Sequence, residues 1–580
     1  MKTLKSDTEL GTPVANIGTL VLDNAARFAD MPAFAERIDG PYRHYAWARL
    51  GQDVLAFAAA LEALETDNPR IAFIAGNSYL RHVCELAVMA SGRISVPIFA
   101  GYPPERMVQL LDFSDVDVLI TDQPAKVLAL DPRHLPDHLL LLTTADDAAL
   151  TGYRHGGGLA RPVSDILDTA ARSSIAAAEQ RMRAVGADTI CLIMYTSGTS
   201  GFPKGVQLTH GNLMSQQKAL EICWQPEPGM RMLCYLPWHH SFGGLFERFF
   251  AVSSGACLAL DDGCGKDVDR LLANFAEIRP QLFFSVPKIY QEITARVQAE
   301  GQVERAFFHP ELKFVFTAAA PLPLSSSEVF RAHGIPVIEG WGLTETSPCC
   351  TLTPFSLDRT PGIVGFPIPG VEVALDDDGE ILVRGANVMR GYFRNDQETD
   401  RVFTRDGWFR TGDIGEFGPE GVRIVSRKER MFKLSNGEKV FPSQLESRVH
   451  ARCQFIKYAY VFGSGQHQPH MLVFPNRQSF EGCGRIANCV NPDNPEQLAR
   501  CLSSCVAEIN HQEAAGFRAI RRALVIGREL SIEDNELTPS FKLVPSQVEQ
   551  RYADCIRAME DERYDELPDD VFVLNLEEPE

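Results

Sequence analysis

The stretch Tyr195 to Gly205, YTSGTSGFPKG, holds four serine or threonine hydroxyls, three glycines and one lysine directly behind the apolar run Ile190–Met194. Glycines let backbone N–H groups turn inward, hydroxyls add donors and an ammonium adds point charge, a set suited to an oligophosphate. The donors in question are those of Thr196, Ser197, Gly198, Thr199, Ser200, Gly201 and Lys204. The pattern differs from GxxxxGK[ST], because Phe202 and Pro203 separate Gly201 from Lys204 and a glycine follows the lysine. Taken alone, such a loop also serves as a flexible connection.

A strand has to deliver this loop, and the surrounding chain has the pattern for it. From about residue 70 to 340, short apolar runs (RIAFIAG, ISVPIFA, VDVLITD, ICLIMYT, RMLCYLP, QLFFSVP, FVFTAAA) alternate with helical spacing in PERMVQLLDFS, VDRLLANFAEI and PKIYQEITARVQ. That alternation predicts an α/β fold with largely parallel sheets and flanking helices. VEVALDDDGEILVRG then predicts a hairpin around Asp378-Gly379, a small antiparallel region. Shorter elements follow Arg427, as IKYAYVFG, HMLVFPN and RALVIG. The expected organisation is a large N-terminal domain at 1–426, a smaller α+β C-terminal domain at 427–558 joined by a hinge, and a solvated acidic tail at 559–580. A chain of 580 residues also exceeds what one core usually serves.

Composition narrows the partners. A net charge of −20 argues against a broad nucleic-acid face, so any polyanion must find a local basic island. The most apolar stretch, Val83–Ala100, is interrupted by Glu85 and Arg93 and is too short to span a bilayer. The opening MKTLKSDTELGTP lacks an apolar run. These features predict a cytoplasmic protein with at most peripheral membrane contact. The 14 cysteines include no CxxC and are expected to be reduced.

The loop resembles the phosphate loop of the adenylate-forming superfamily: acyl-CoA synthetases, peptide-synthetase adenylation domains and luciferases. The resemblance continues in order through YLPWHHSFGG (235–244), TAAAPLP (317–323), EGWGLTETSP (339–348), GWFRTGD (407–413), SRKERMFK (426–433) and LTPSFKL (537–543). It implies that the loop grips the β and γ phosphates of ATP while a carboxylate attacks the α-phosphorus. It implies further that a thiol then displaces AMP to give a thioester.

The same resemblance assigns roles. Glu345 would hold Mg²⁺ and Thr344 would donate to a phosphate, a capping threonine beside a surface glutamate being the alternative. Trp341 would stack on adenine, with Gly342 beside it in the nucleotide site, unless the tryptophan is core. Ala319 and Ala320 would let backbone approach the adenine and the acyl carboxylate. Asp413 would accept from the ribose hydroxyls, Arg427 would pair with ribose or phosphate, and Ser426 stands where relatives often have glycine. Of His239 and His240, the motif favours His240 as the wall of the carboxylate pocket, a hydrogen-bonded structural histidine being the alternative. Lys542 matches the lysine that reaches from the small domain to the carboxylate and α-phosphate. Phe541 precedes it, as a bulky residue does in long-chain relatives. Glu429 falls at the hinge position. Arg427, Lys428, Arg430, Lys433 and Lys439 would form a basic island for the phosphates of coenzyme A, or a solvated charged segment.

RPQLFFSVPKIYQEI, KLSNGEKVFPSQLE and ELTPSFKL resemble long-chain fatty acid–CoA ligases most. Phe242, Gly243, Gly244 and Phe246 would line an apolar acyl tunnel or belong to the core. The expected activity is ATP- and Mg²⁺-dependent formation of acyl-AMP from a fatty acid, then acyl transfer to coenzyme A. The alternatives are a ligase that loads an acyl carrier protein and a non-catalytic acyl- or nucleotide-binding relative.

Overall fold

In the computed structural model the chain is described except for residues 1, 39, 63, 65–67, 131–139, 145–153, 156–157, 160, 170–171, 197–202, 319–321, 361, 453–455, 477–502, 504–518, 532–533, 538–542, 569 and 576–580. It divides into two compact units. The first holds Met1–Asp377, Ile381–Thr411 and Phe417–Arg423, and the second Asp378–Glu380, Gly412–Glu416 and Ile424–Glu580.

The runs read as strands are strands, and most of their pairings are parallel. In one sheet Pro32–Arg37, Cys257–Leu260, Arg231–Cys234, Leu282–Ser285, Phe314–Thr317 and Val337–Trp341 lie side by side, each adjacent pair parallel. In a second sheet Arg161–Pro162, Leu140–Thr143, Val118–Thr121, Arg70–Ile74, Ile94–Pro97 and Ile190–Thr196 are parallel in that order. Near-continuous Val, Ile, Leu and Phe in these strands is what burial on both faces demands. Leu282–Ser285 and Phe314–Thr317 are buried along their whole length. Pro104–Ser114, Val268–Ile278 and Pro287–Ala299 are helices, as their spacing requires. The predicted hairpin pairs Val371–Leu375 with Glu380–Gly385 in antiparallel register.

The second unit carries a mixed sheet in the order Ile456–Phe462, His470–Pro475, Arg522–Ile526, Val571–Asn575. Val449, Val461, Val473, Val525 and Leu574 pack on one face of it, and Tyr460, Leu472, Phe474, Leu524, Tyr552 and Met559 on the other. Here the structure differs from the sequence reading, which makes everything after residue 558 a solvated acidic tail. Val571–Asn575 is the edge strand of this sheet, and Leu574 is buried at 2 % exposure. Alternating apolar residues in VFVLN outweigh the acidic residues around them.

Among the described residues no helix is long and apolar enough to cross a membrane, and the nine described cysteines are free thiols.

Candidate active site

The phosphate-type loop connects two paired strands. Ile190–Thr196 pairs antiparallel with Lys204–Thr209, and Thr196 sits opposite Lys204 at the closing rung. Residues Ser197, Gly198, Thr199, Ser200 and Gly201 lie outside the described residues. The lysine is held on two sides. Its Nζ lies 2.6 Å from Glu398 Oε1 and 5.2 Å from the centroid of the Tyr392 ring. Burial alone would raise the Glu398 carboxyl, but the hydrogen bond and charge of Lys204 outweigh it and hold the carboxyl below its ordinary value.

Gly391–Tyr392 is a short strand antiparallel to Lys204–Thr209, with Tyr392 opposite Val206. The Tyr392 hydroxyl donates to Glu345 Oε1 at 2.8 Å, and the Met389 N–H donates to the Glu345 carbonyl at 2.8 Å. Glu345 is 8 % exposed and makes no ion pair among the described residues. A buried carboxylate without a cation is costly, so the residue suits a cationic ligand. A hard divalent ion bridging phosphates typically takes one or two carboxylates and completes its shell from phosphate and water. The donor set fits this, because Glu345 Oε2 makes no hydrogen bond among the described residues. Thr344 Oγ1 donates to Ser241 Oγ at 3.1 Å, which ties the turn to the PWHHSFGG segment.

Close backbone approach fixes this turn. A Cβ at Gly342 would lie 1.9 Å from the Pro348 carbonyl oxygen, so the glycine is required by space. Asn387 Nδ2 donates to the carbonyls of Thr346 and Cys349, and Ser347 Oγ donates to the Asn387 carbonyl. Trp341 ends the strand Val337–Trp341 opposite Thr351.

The PWHHSFGG segment turns into a π-helix at Phe242–Glu247. Cβ atoms at Gly243 and Gly244 would lie 2.7 Å and 2.2 Å from main-chain carbonyl oxygens of the same segment. These glycines let the backbone pack closely on itself, and Phe242 and Phe246 sit in an aromatic cluster with Phe316. His240 Nδ1 accepts from the Phe242 N–H at 3.3 Å. The neighbouring His239 is pushed down to about 3 by burial, with the charge of Arg81 and His240 adding to it, and its ring lies 4.5 Å from that of Phe99. Behind both histidines, Trp238 is fully buried beneath the guanidiniums of Arg81 and Arg248. Both arginines pair with Glu85.

In the second unit Asp413, 4 % exposed, pairs with Arg427 at 3.0 Å. Glu380 accepts from the Gly412 N–H at 3.1 Å and from Lys428 Nζ at 2.9 Å. Arg430 pairs with Glu446 at 2.6 Å and lies over the Tyr460 ring. The expected basic island is thus largely engaged internally at Arg427, Lys428 and Arg430. Lys433 and Lys439 stand directly opposite each other on a two-stranded ribbon. Ala319, Ala320 and Lys542 lie outside the described residues.

A sequence profile described as AMP-binding enzyme matches residues 21–393, which hold Lys204, Thr344, Glu345 and Tyr392, and one described as AMP-binding enzyme C-terminal domain matches 429–564; Asp413 and Arg427 fall between the two. The chain belongs to the AMP-binding enzyme family. Among AMP-binding enzymes it resembles long-chain fatty acid–CoA ligases most. It is 26 % identical to the long-chain-fatty-acid–CoA ligase FadD15 of Mycobacterium bovis, over 94 % of this chain and 97 % of that one. It is 26 % identical to the peroxisomal long chain acyl-CoA synthetase 7 of Arabidopsis thaliana, over 90 % and 83 %. Its fold matches O-succinylbenzoate coenzyme A synthetase (MenE) from Bacillus subtilis in complex with AMP, with TM-score 0.69, 20 % identity and coverage of 93 % and 98 %. It also matches ATP-bound MatB from Rhodopseudomonas palustris, with TM-score 0.70, 21 % identity and coverage of 94 % and 100 %.

Sequence reasoning missed Tyr392 and Glu398. They lie in GYFRNDQETD, nearly two hundred residues beyond Lys204, and carry no spacing signal of their own. The pairing of Gly391–Tyr392 with the hairpin brings them to the lysine.

Proposed function

We propose that the protein is an ATP-dependent acid–thiol ligase that activates a fatty acid as acyl-AMP and then transfers the acyl group to coenzyme A. The observation that carries the reading is the convergence of Lys204 and Glu345 on Tyr392, with Thr344 next to Glu345 in the chain. A carboxylate oxygen attacks the α-phosphorus and pyrophosphate leaves. The thiolate of coenzyme A then attacks the acyl carbon, and the C–O bond to AMP breaks.

Lys204 and the hydroxyls of the loop hold the β and γ phosphates, and Thr344 donates to a phosphate oxygen. Glu345 would hold Mg²⁺, which would neutralise phosphate charge. Asp413 binds the ribose hydroxyls, and Arg427, paired with it here, turns to ribose or phosphate. Trp341 and Gly342 receive the adenine, Ala319 and Ala320 let backbone approach the nucleotide and acyl carboxylate, and His240 walls the carboxylate pocket. Lys542 stabilises the charge that grows on the carboxylate and α-phosphate. The first unit forms the adenylating body, and the second unit, which includes the Val571–Asn575 strand, a mobile domain hinged near Glu429. Lys433 and Lys439 meet the phosphates of coenzyme A.

The long-chain substrate is supported by the names of the relatives and by the three segments that resemble such ligases. The test is mass spectrometry of products from purified protein, ATP, Mg²⁺, a chain-length series of acids and coenzyme A. Long-chain acyl-CoA with AMP supports the reading. Acyl-AMP that is released by a carrier protein and not by coenzyme A moves it to a carrier-loading ligase, and no AMP with any acid refutes it.

A further inference from the structure

Tyr392 is fixed in place from several directions. Its strand pairs with the loop hairpin, its N–H donates to Thr399 Oγ1 at 2.9 Å, and the next N–H, of Phe393, donates to the Gly205 carbonyl at 2.7 Å. The side chain is 4 % exposed. Its ring faces the Lys204 ammonium and its hydroxyl reaches the Glu345 carboxylate. We propose that Tyr392 is a positioning residue for Glu345: its hydroxyl locks one carboxylate oxygen so that the other faces the cation, while its ring holds Lys204 in register with that cation.

Tyrosine is suited to this dual task, since it has a π face for an ammonium and a donor at the ring edge. A glutamate with both oxygens free would rotate about its last bond and present either edge. A donor on Oε1 removes that freedom and leaves Oε2, which makes no hydrogen bond among the described residues, for a ligand. The inference rests on the reading that Glu345 holds Mg²⁺. The bland competitor is a buried tyrosine whose hydroxyl merely finds an acceptor.

The experiment measures binding of a fluorescent ribose-labelled ATP, first with chelator and then with saturating Mg²⁺. The ratio of the two dissociation constants is the Mg²⁺ factor. Tyr392→Phe keeps the ring and removes the donor, so the factor should fall about 10–100-fold or to unity, the usual range for a residue that orients a metal ligand. Binding in chelator should be unchanged. Glu345→Gln separates the two claims. A parental factor in Glu345→Gln defeats the assignment of the metal to Glu345 itself. Loss of the factor in Glu345→Gln together with a parental factor in Tyr392→Phe overturns the positioning role alone. In the double variant Tyr392→Phe should add nothing, because it acts through the carboxylate, and an additive loss overturns the inference. If Tyr392→Phe does not fold, 4-fluorophenylalanine at 392 fills the hydroxyl's space without a donor. The Mg²⁺ factor should then fall as for Tyr392→Phe, and a parental factor refutes the role.

Discussion

Gly342→Ala tests the turn that carries Thr344 and Glu345. The added methyl would lie 1.9 Å from the Pro348 carbonyl oxygen, with Cys349 Cα at 2.9 Å. Against an ordinary contact of about 3.5 Å the shortfall is roughly 1.5 Å, and the obstructing atoms are backbone, which cannot rotate away. Gly342 has no left-handed φ among the described residues, so strain comes from space alone. Overpacking of this kind costs about 1–3 kcal/mol. The relief has to move the segment Leu343–Thr346, and a displacement of about 1 Å at a reacting site costs on the order of 10² in rate. ATP–pyrophosphate exchange at saturating acid and ATP should therefore fall about 10²-fold, with a loss of about 1–3 kcal/mol in denaturant unfolding of the same preparation. Gly301→Ala is the control, because its Cβ would meet nothing nearer than 3.6 Å. Parental exchange and parental stability in Gly342→Ala would show that the turn is not pressed against Pro348, and the placement of Glu345 argued here would fail with it.

Lys542→Ala should reduce adenylation by on the order of 10²–10³ and spare thioester formation from added acyl-adenylate, whereas equal loss of both contradicts its assignment to the first step. Lys204→Met should lower kcat/KM for ATP by about 10–100-fold, the range for a charged hydrogen bond of about 1.5–3 kcal/mol, and an unchanged ATP dependence removes the lysine from the phosphate site. His210, fully buried, is pushed down to about 4 by burial, and it accepts from the Ile17 N–H. The unfolded chain then binds its proton first, so stability is full above about pH 6.5 and falls by about 3 kcal/mol as pH drops toward 4. Unfolding measured across that window should show His210→Gln with a flatter pH dependence, and an identical slope refutes the contribution.

The strands and helices of the parallel sheets are legible because each is a short apolar run or an amphipathic repeat bounded by turn residues. The hairpin at Asp378-Gly379 is legible for the same reason. Lys204, Thr344 and Glu345 stand out because their neighbours form patterns of glycine and hydroxyl. Tyr392 and Glu398 do not, since what brings them to Lys204 is a strand pairing between distant segments that no local periodicity encodes. The lysines and arginines after Ser426 read as one island, yet Lys428 and Arg430 are neutralised by Glu380 and Glu446, which charge counting cannot reveal. Gly243 and Gly244 read as tunnel lining or core, and sequence does not show that carbonyls of their own segment occupy the space where a side chain would stand. VFVLN reads as tail because acidic residues surround it, and it folds because it completes a sheet.

The central claim is that a carboxylate oxygen attacks the α-phosphorus of ATP. Purified protein supplied with ATP, Mg²⁺, coenzyme A and a fatty acid labelled with ¹⁸O in its carboxyl group tests this directly. Attack and subsequent thiolysis leave one acid oxygen on the nucleotide, so AMP should carry one ¹⁸O and the pyrophosphate none. Label in inorganic phosphate together with ADP would place the attack on the γ-phosphorus and contradict the account.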